Sequence, residues 1–305
     1  MGESRKCRGE LWFEARRQGY CLEVISALSG NAVRKAVILA RGMGKRMRRS
    51  AGELALDPAV RRFVERGWKP FIPIRGRPFI WYQLRALSEA GIREVCLVVG
   101  PEHLELREQL VRLGEEAGVE VGLAVQEKPL GTANAVYASK GFVGSGSFIL
   151  LNGDNYYPEE ALKALVSAGD PGRCYVAGFS LEKLVERSNF TPERVKAFSV
   201  MLVDEEFNLV RIVEKPEDPE RYRTRRGILV NMNLWRFNPL IFAACELVEP
   251  HPVRGELELT AAVQLMVDRG MCEVKVVPVD SYVLDLTYAS DIEAVERILG
   301  SGGKA

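Results

Sequence analysis

A short apolar strand that runs directly into a basic, glycine-rich segment constrains this chain more than any other feature. Residues 36–39 are apolar and are followed by the sequence ARGMGKRM. Gly42 and Gly44 have no Cβ atom, so backbone N–H groups there can approach an anion closely. Lys45 and Arg46 add positive charge, and a guanidinium can bind a phosphate through two parallel hydrogen bonds. The segment predicts a loop for the phosphates of a nucleoside triphosphate, although its spacing matches neither a Walker loop nor a dinucleotide fingerprint.

Strand-like and helix-like segments alternate from residue 35 onward. The predicted strands are rich in Val, Ile and Leu and cover 35–40, 95–99, 119–125, 147–151 and 174–180. The predicted helices cover 80–90, 102–117, 131–141, 159–167 and 256–269. Continuous apolar strands separated by helices predict an α/β fold, with a mostly parallel sheet covered by helices on both faces. The glycine loop would then lie at the carboxyl end of a strand, where ligands bind in such sheets.

The second half of the chain has shorter separations between its strand-like segments. These segments cover 197–204, 208–213, 228–237, 273–279 and 281–286, with a turn at 205–208. They predict an antiparallel or mixed region that is built onto the same core and carries a second substrate. We expect one domain over 35–300, a poorly ordered N-terminal extension at 1–34 and a short tail at 301–305.

Composition limits the classes of protein that this chain can represent. A hydrophobic content of 47% over 305 residues excludes a disordered chain. The net charge of +1 provides no overall field that would favour nucleic acid or an anionic membrane as a partner. The sequence contains no apolar run long enough to span a membrane. Six cysteines without CxxC pairs predict a reducing, cytoplasmic location and no zinc site.

Two further segments supply candidates for nucleotide binding. Lys69 precedes a rigid, proline-rich stretch and could reach the α-phosphate of a nucleotide bound by the glycine loop; the alternative is a solvated surface lysine. Gln126 ends a predicted strand and could hydrogen bond the edge of a base, while Gly131 would let the base lie against the backbone. The alternative for this segment is an ordinary turn, with Thr132 as the helix N-cap.

Two aspartates follow apolar strands and are candidates for binding a metal. Asp154 comes after the apolar run 148–151, and Asp285 ends the run 282–284. Carboxylate oxygens are ligands that Mg²⁺ prefers, and this ion bridges phosphates. The pair could share one metal ion, although aspartates are also common in plain turns.

An acid–base pair at the end of another predicted strand is a candidate for sugar binding. Glu214 could hydrogen bond sugar hydroxyls while Lys215 contacts the phosphate of the sugar. The alternative is a surface ion pair, which would contribute little to stability.

Taken in order, these segments resemble the sugar-1-phosphate nucleotidyltransferases, also called nucleotide-sugar pyrophosphorylases. The resemblance runs from about residue 35 to about residue 299 and is closest to the glucose-1-phosphate thymidylyl- and uridylyltransferases. The segments that carry it are the glycine loop, the lysine-proline region 69–81, and residues 129–133, 153–154, 214–216 and 254–260.

The resemblance implies a Rossmann-like three-layer fold and nucleotidyl transfer from an NTP to a sugar 1-phosphate, with Mg²⁺ as cofactor. The implied roles are catalysis by Arg46 and Lys69, nucleotide binding by Leu39, Gly42, Gly44, Lys45, Gln126 and Gly131, sugar-phosphate binding by Glu214, Lys215 and Asn231, and metal binding by Asp154 and Asp285. UTP or dTTP is favoured, because Gln126 resembles the base-reading position of thymidylyltransferases. Neither nucleic acid nor membrane is an expected partner, and a homo-oligomer stays open because family members are often oligomeric.

Several positions depart from the family pattern. Arg41 stands where a glycine or alanine is usual, and Lys45 stands where threonine is usual. The link 48–68 is longer than in the family, Asn233 replaces a glycine, and residues 286–288 alter the stretch after the second aspartate. Two alternatives therefore stay open. One is a non-catalytic nucleotide-sugar-binding regulatory protein in which Arg41 fills the phosphate space. The other is a cytidylyltransferase that acts on another alcohol phosphate.

Overall fold

The computed structural model describes residues 33–52, 55–170 and 172–301. Its strands are β1 (Lys35–Leu39), β2 (Pro73–Ile74), β3 (Arg77–Pro78), β4 (Glu94–Val99), β5 (Glu120–Val125), β6 (Phe148–Asn152), β7 (Asn155–Tyr156), β8 (Cys174–Ser180), β9 (Val200–Val203), β10 (Leu209–Val213), β11 (Leu229–Phe237), β12 (Val274–Val279) and β13 (Leu284–Asp285). Its α-helices are α1 (Lys45–Ser50), α2 (Pro58–Arg66), α3 (Phe79–Glu89), α4 (Arg107–Ala117), α5 (Thr132–Ala138), α6 (Lys140–Val143), α7 (Glu159–Val166), α8 (Leu181–Arg187), α9 (Pro192–Lys196), α10 (Leu240–Leu247), α11 (Leu259–Asp268) and α12 (Asp291–Gly300). Short 3₁₀ helices cover Lys69–Phe71, Pro101–Leu106 and Pro219–Tyr222.

Within the described part of the chain, nine strands form one mixed, mostly parallel sheet around β1. β1 pairs in parallel with β4 on one side and with β6 on the other, so that Lys35 lies opposite Glu94 and Phe148. β5 extends this parallel part beyond β4. Beyond β6, β11 runs antiparallel, and β8 and β12 follow it. The carboxyl ends of β1, β4, β5 and β6 therefore meet at one edge of the sheet.

β9 and β10 form the antiparallel region that the sequence predicts for the second half. They pair with each other, and Val200 of β9 pairs with Val230 at the start of β11. The turn between them is closed by Asp204, whose carboxylate accepts hydrogen bonds from the backbone N–H groups of Glu206 and Asn208. The predicted turn at 205–208 is confirmed.

Helices cover both faces of the sheet, as predicted. Alternate side chains of β1 point to opposite faces, so Ile38 packs in one buried cluster and Val37 in another. The Ile38 cluster contains residues of α3, α4 and α7. The Val37 cluster contains residues of α5, α10 and α11. A third buried cluster joins α1, α2 and α12, with Met47, Val64 and Val295 fully buried in it.

Two predicted helices are each divided into two pieces. The segment 102–117 begins as a 3₁₀ helix and becomes the α-helix α4 only at Arg107. The segment 131–141 is interrupted at Ser139, whose N–H and hydroxyl both donate to the carbonyl of Val136. These tight local hydrogen bonds separate α5 from α6 at a single residue, and no signal in the apolar periodicity marks them.

The predicted strand 281–286 is reduced to the two residues of β13. The backbone N–H groups of Val283 and Asp285 donate to the side chains of Ser188 and Asn189 rather than to a long neighbouring strand. Those side chains come from residues nearly a hundred positions away, so the local sequence does not predict this arrangement.

Residues 1–32, which make up most of the predicted extension, and residues 302–305 of the predicted tail lie outside the described residues. Val33 is buried in the core, and the carbonyl of Arg34 accepts hydrogen bonds from the N–H groups of Arg93 and Glu94. Among the described helices, none has the length and apolarity that a membrane crossing requires.

Candidate active site

The glycine loop connects β1 to α1, and its backbone packs against that of Gly67. Gly44 has a φ of +55°, and a Cβ there would lie 2.5 Å from Cα of Gly67. Gly67 ends α2 with a φ of +73°, and a Cβ on it would lie 2.9 Å from the carbonyl carbon of Met43. The two backbones therefore pack directly together. The long link 48–68 supplies this contact, which the sequence does not reveal.

A cavity of about 580 Å³ opens above this loop, at the carboxyl ends of the parallel strands. The predicted residues that line it are Leu39, Gly42, Gly44, Lys45, Arg46, Lys69, Gln126, Gly131 and Asp154. A Cβ on Gly42 would meet nothing within 4 Å, so the backbone there faces open space. The structure thus brings the predicted nucleotide and catalytic residues to one site.

The charge of the cavity suits a polyanion. In the described part of the chain, its lining contains five cationic side chains, those of Arg41, Lys45, Arg46, Arg49 and Lys69. Two carboxylates, Asp154 and Glu256, oppose them. Sequence reasoning missed Arg49 as a site residue. Its spacing of three from Arg46 was the available signal, since residues three apart share one face of a helix.

Lys69 and Asp154 form a partly buried ion pair in the wall of the cavity. Lys69 Nζ lies 2.9 Å from Asp154 Oδ2, and the lysine side chain is only 7% exposed against 32% for the aspartate. Lys69 is therefore not the solvated surface lysine of the alternative reading. Asp154 is set in the turn after β6, where the N–H of Gly153 donates to the carbonyl of Leu39. This hydrogen bond ties the turn to the start of the glycine loop.

The two predicted metal aspartates lie on paired backbone segments. Asp285 of β13 pairs with Asn155 of β7, and the N–H of Leu286 donates to the carbonyl of Asp154. Asp285 is buried and does not line the cavity. Its Oδ2 accepts from Asn155 at 2.9 Å and its Oδ1 accepts from Arg194 at 2.6 Å. Burial, followed by the charge of Asp154, raises the pKa of Asp285.

The chemistry of the two side chains, though not their number, is of the kind that a hard divalent cation prefers. Both candidate ligands supply carboxylate oxygens, and each oxygen keeps a lone pair after one hydrogen bond. The described residues contain no group of three or more His, Cys, Asp or Glu side chains that could enclose a metal ion. An ion here would take its other ligands from phosphate and water, as Mg²⁺ usually does.

Gln126 and Gly131 form the opposite end of the cavity. Gln126 is buried at the end of β5, and its Nε2 donates to the carbonyl of Gly131 and to Oδ1 of Asn134, both at 3.0 Å. Gly131 has a φ of +122°, and a Cβ there would lie 2.6 Å from the backbone nitrogen of Leu257. Thr132 does not cap its own helix, because its hydroxyl accepts from the N–H of Leu259. The loop before α11 thus closes against this end of the site.

Comparison with known proteins decides the family. A family model described as nucleotidyl transferase matches residues 35–299 of this chain. The chain belongs to this family. It is 31% identical over 253 residues to the low-salt glycan biosynthesis nucleotidyltransferase of Haloferax volcanii, covering 82% of this chain and 60% of the relative. It is 28% identical over 263 residues to the glucose-1-phosphate thymidylyltransferase of Streptomyces antibioticus, covering 86% of this chain and 65% of the relative. The chain thus spans less than two thirds of the length of both relatives.

Solved structures show that this chain shares its fold with proteins of different named substrates. The inositol-1-phosphate CTP transferase from T. maritima superposes with a TM-score of 0.65 at 24% identity, covering 88% of this chain and 96% of that one. A UDP-glucose pyrophosphorylase in complex with UDP-glucose superposes with a TM-score of 0.64 at 17% identity, covering 88% and 99%. At these identities the likeness establishes the α/β architecture alone.

The predicted sugar-phosphate residues do not line the cavity over the glycine loop. Glu214 and Lys215 follow β10 and are exposed. Desolvation by surrounding protein, followed by the charge of Glu258, raises the pKa of Glu214. Asn231 of β11 is buried; its Oδ1 accepts from the N–H of Asn233, and its Nδ2 has no partner. Their sugar-binding role stays a prediction.

Proposed function

We propose that this protein transfers a nucleotidyl group from a nucleoside triphosphate to a sugar 1-phosphate with release of pyrophosphate. The observation that carries the proposal is the ion pair of Lys69 and Asp154 in the cationic cavity above the glycine loop. This pair combines a donor for a phosphoryl oxygen with a carboxylate that can hold a divalent ion. Membership of the nucleotidyl transferase family supports the same reaction class.

The reaction needs little covalent chemistry from the protein. An anionic oxygen of the sugar phosphate attacks the α-phosphorus, the bond from that phosphorus to the bridging oxygen breaks, and its electron pair leaves with pyrophosphate. No general base is required, because the attacking oxygen carries no proton. The barrier lies in aligning two anions and neutralising the charge that develops between them.

The side chains of the cavity are suited to those two tasks. Lys45, Arg46 and Arg49 of α1 line the cavity together with the glycine loop and would hold the triphosphate. Lys69 would contact the α-phosphate. Asp154 and Asp285 would hold Mg²⁺, which would neutralise charge on the phosphates.

We infer that the nucleotide is UTP or dTTP and that the sugar is glucose 1-phosphate. The named activity of the Streptomyces antibioticus relative supports this choice. A cytidylyltransferase acting on another alcohol phosphate is the second candidate, because the T. maritima structure bears that kind of name. The contacts of the Arg41 guanidinium with Glu102 and with the carbonyl of Gln126 argue against the regulatory alternative, in which Arg41 fills the phosphate space.

One set of assays tests the proposal. The purified protein would be incubated with Mg²⁺, each of five NTPs and several sugar 1-phosphates, with pyrophosphate release and product mass as readouts. We expect a nucleotide sugar and pyrophosphate in equal amounts. Asp154→Asn should abolish most turnover and weaken Mn²⁺ binding measured by electron paramagnetic resonance, whereas Asp268→Asn on the exposed end of α11 should change neither. Nucleotide binding without pyrophosphate release from any pair would favour the regulatory alternative.

A further inference from the structure

The amide of Gln126 can offer a ligand only one kind of hydrogen bond. Its Nε2 donates to the carbonyl of Gly131 and to Oδ1 of Asn134. The Gly131 carbonyl can only accept, so the amide orientation is fixed and both of its protons are used. Oε1 remains as an acceptor. At this end of the cavity, Gln126 therefore supplies its Oε1 acceptor to a ligand but no N–H donor.

Arg41 contacts the backbone of the same glutamine and lines the same cavity. Its Nε and Nη2 donate to the two carboxylate oxygens of Glu102 at 3.2 and 3.4 Å, and its Nη1 donates to the backbone carbonyl of Gln126. The Arg41 side chain is only 9% exposed, and Arg41 lines the cavity. A guanidinium has five N–H groups, so two remain for a ligand.

The guanidinium is held in this position by its surroundings. Glu102 binds it from the 3₁₀ helix after β4, and the Glu102 carboxylate lies over the backbone of Gly100. The carbonyl of Gln126 fixes the third N–H group. An arginine with these partners presents its free N–H groups in a fixed direction, so little side-chain entropy is lost when a ligand binds.

We propose that Arg41 is a base-recognition residue, which donates to a carbonyl oxygen of the nucleobase while Oε1 of Gln126 accepts from the neighbouring ring N–H. This inference rests on the proposed nucleotidyl transfer and names the class of base. The matching edge is a lactam, in which a carbonyl stands next to a ring N–H, as in uracil, thymine and guanine. The position of Arg41 departs from the glycine or alanine that the family pattern has there.

The same two groups discriminate against cytosine and adenine. Those bases carry an amidine edge, in which a ring nitrogen accepts and the exocyclic amino group donates. If O2 of cytosine bound Arg41, its N3 lone pair would face the Oε1 acceptor of Gln126, and two acceptors repel. Adenine has no carbonyl oxygen to offer the guanidinium. A site built to hydrogen bond a particular edge rejects analogues that leave its buried groups unpaired.

Arg41→Ala tests the assignment, with Arg49→Ala as the matched control at the phosphate end. We expect the wild-type protein to prefer UTP, dTTP or GTP over CTP and ATP in kcat/KM. Arg41→Ala should lower kcat/KM for its preferred lactam NTP by about 10- to 100-fold, the range for one charged hydrogen bond. The same substitution should lower kcat/KM for CTP and ATP far less, so that the preference for lactam bases is largely lost. KM for the sugar 1-phosphate should stay unchanged. Arg49→Ala should lower kcat/KM for all NTPs by similar factors.

Several results would overturn the inference. An unchanged base preference in Arg41→Ala, or an equal loss for every NTP, contradicts a role in base recognition. If Arg41→Ala fails to fold, Arg41→Lys keeps the charge but loses the fixed fork, and it should show the same narrowing of preference. If the wild-type protein releases no pyrophosphate with any substrate pair, the proposed reaction fails. The ratio of UMP to CMP affinity in wild type and Arg41→Ala, measured by calorimetry, then tests Arg41 independently.

Discussion

Lys69 Nζ and Asp154 Oδ2 lie 2.9 Å apart in the wall of the cavity, although 85 residues separate them in the chain. The lysine side chain has left bulk water almost completely, whereas the aspartate keeps about a third of its exposure. An ammonium group in such a place is restrained near one position by its carboxylate partner. It is therefore prepared to meet a phosphoryl oxygen without further rearrangement.

Replacing this lysine should slow the reaction without unfolding the protein. We expect Lys69→Met to lower kcat by about 10²- to 10³-fold, as does the loss of one preorganised donor at a developing charge. Asp154 remains partly exposed, so water can solvate its carboxylate when the lysine is removed. Pyrophosphate release measures the rate. Lys163→Met, which breaks an exposed ion pair with Glu159, is the control; a rate within threefold of wild type for Lys69→Met would contradict the assignment.

The packing of Gly44 on Gly67 predicts a sharp difference between two glycine variants. Gly44→Ala should lower the free energy of unfolding by about 1–3 kcal/mol, because its φ is in the left-handed region and its Cβ would collide with backbone. The displaced loop should also raise KM for the NTP. Gly141→Ala is the control, since a Cβ there meets nothing within 4 Å. Urea unfolding checks the first effect, and equal stability of the two variants would count against the described loop packing.

The buried imidazole of His103 predicts how stability depends on pH. Its side chain is 2% exposed against Trp68 and Phe71, and its Nδ1 accepts from the N–H of Gly100. Burial, opposed by the charge of Glu102, lowers the pKa of His103 from its ordinary value of 6.5. Below about pH 6.5, His103 therefore binds a proton more readily in the unfolded chain than in the folded one. The free energy of unfolding should fall as pH drops below that value. The limiting slope is about 1.4 kcal/mol per pH unit for one proton.

Substitution of His103 isolates that contribution from those of the carboxylates. In His103→Asn, the amide oxygen can still accept from Gly100, and the fall in stability between pH 7 and the folded pKa should become shallower than in wild type. Urea unfolding at a series of pH values measures the two slopes. Identical slopes for wild type and His103→Asn would refute the prediction.

Two buried cysteines should resist alkylation in the native protein. Burial raises the pKa of Cys96 and of Cys245 to about 12. The thiolate is the reactive form, and at pH 8 only about 10⁻⁴ of each thiol would be ionised. Peptide mapping after iodoacetamide treatment should find both residues unmodified in the native protein and modified in concentrated urea. Rapid native labelling of either residue would show that its strand or helix opens readily.

The sequence by itself predicts most of the sheet strands and the side chains of the candidate site that stand at strand ends. Apolar runs predict β1, β4, β5, β6 and β8 to within one or two residues, because a fully buried strand must be apolar along its whole length. The same runs place the glycine loop, Gln126 and Asp154 at strand ends. Strand ends in a parallel sheet share an edge, so the convergence of these residues on one cavity follows from local signals.

Other features depend on contacts that no local pattern encodes. Gly67 supports Gly44, and Arg41 turns to Glu102, because α2 and the segment after β4 reach the loop from elsewhere in the chain. Asp285 is held next to Asp154 because the two-residue strands β7 and β13 pair with each other. The backbone N–H groups of Val283 and Asp285 also donate to the side chains of Ser188 and Asn189.

The sequence determined which segments are buried and which chemical groups stand at strand ends, since burial and turn chemistry are written in each segment's own residues. Only the tertiary structure decided which of those groups face one another. Partners scattered along the chain bury Lys69 and accept both amide protons of Gln126. They also place the guanidinium of Arg194 between Asp285 and Asp291. Such contacts are set by the register of the sheet and the packing of helices on it, and apolar periodicity does not specify either.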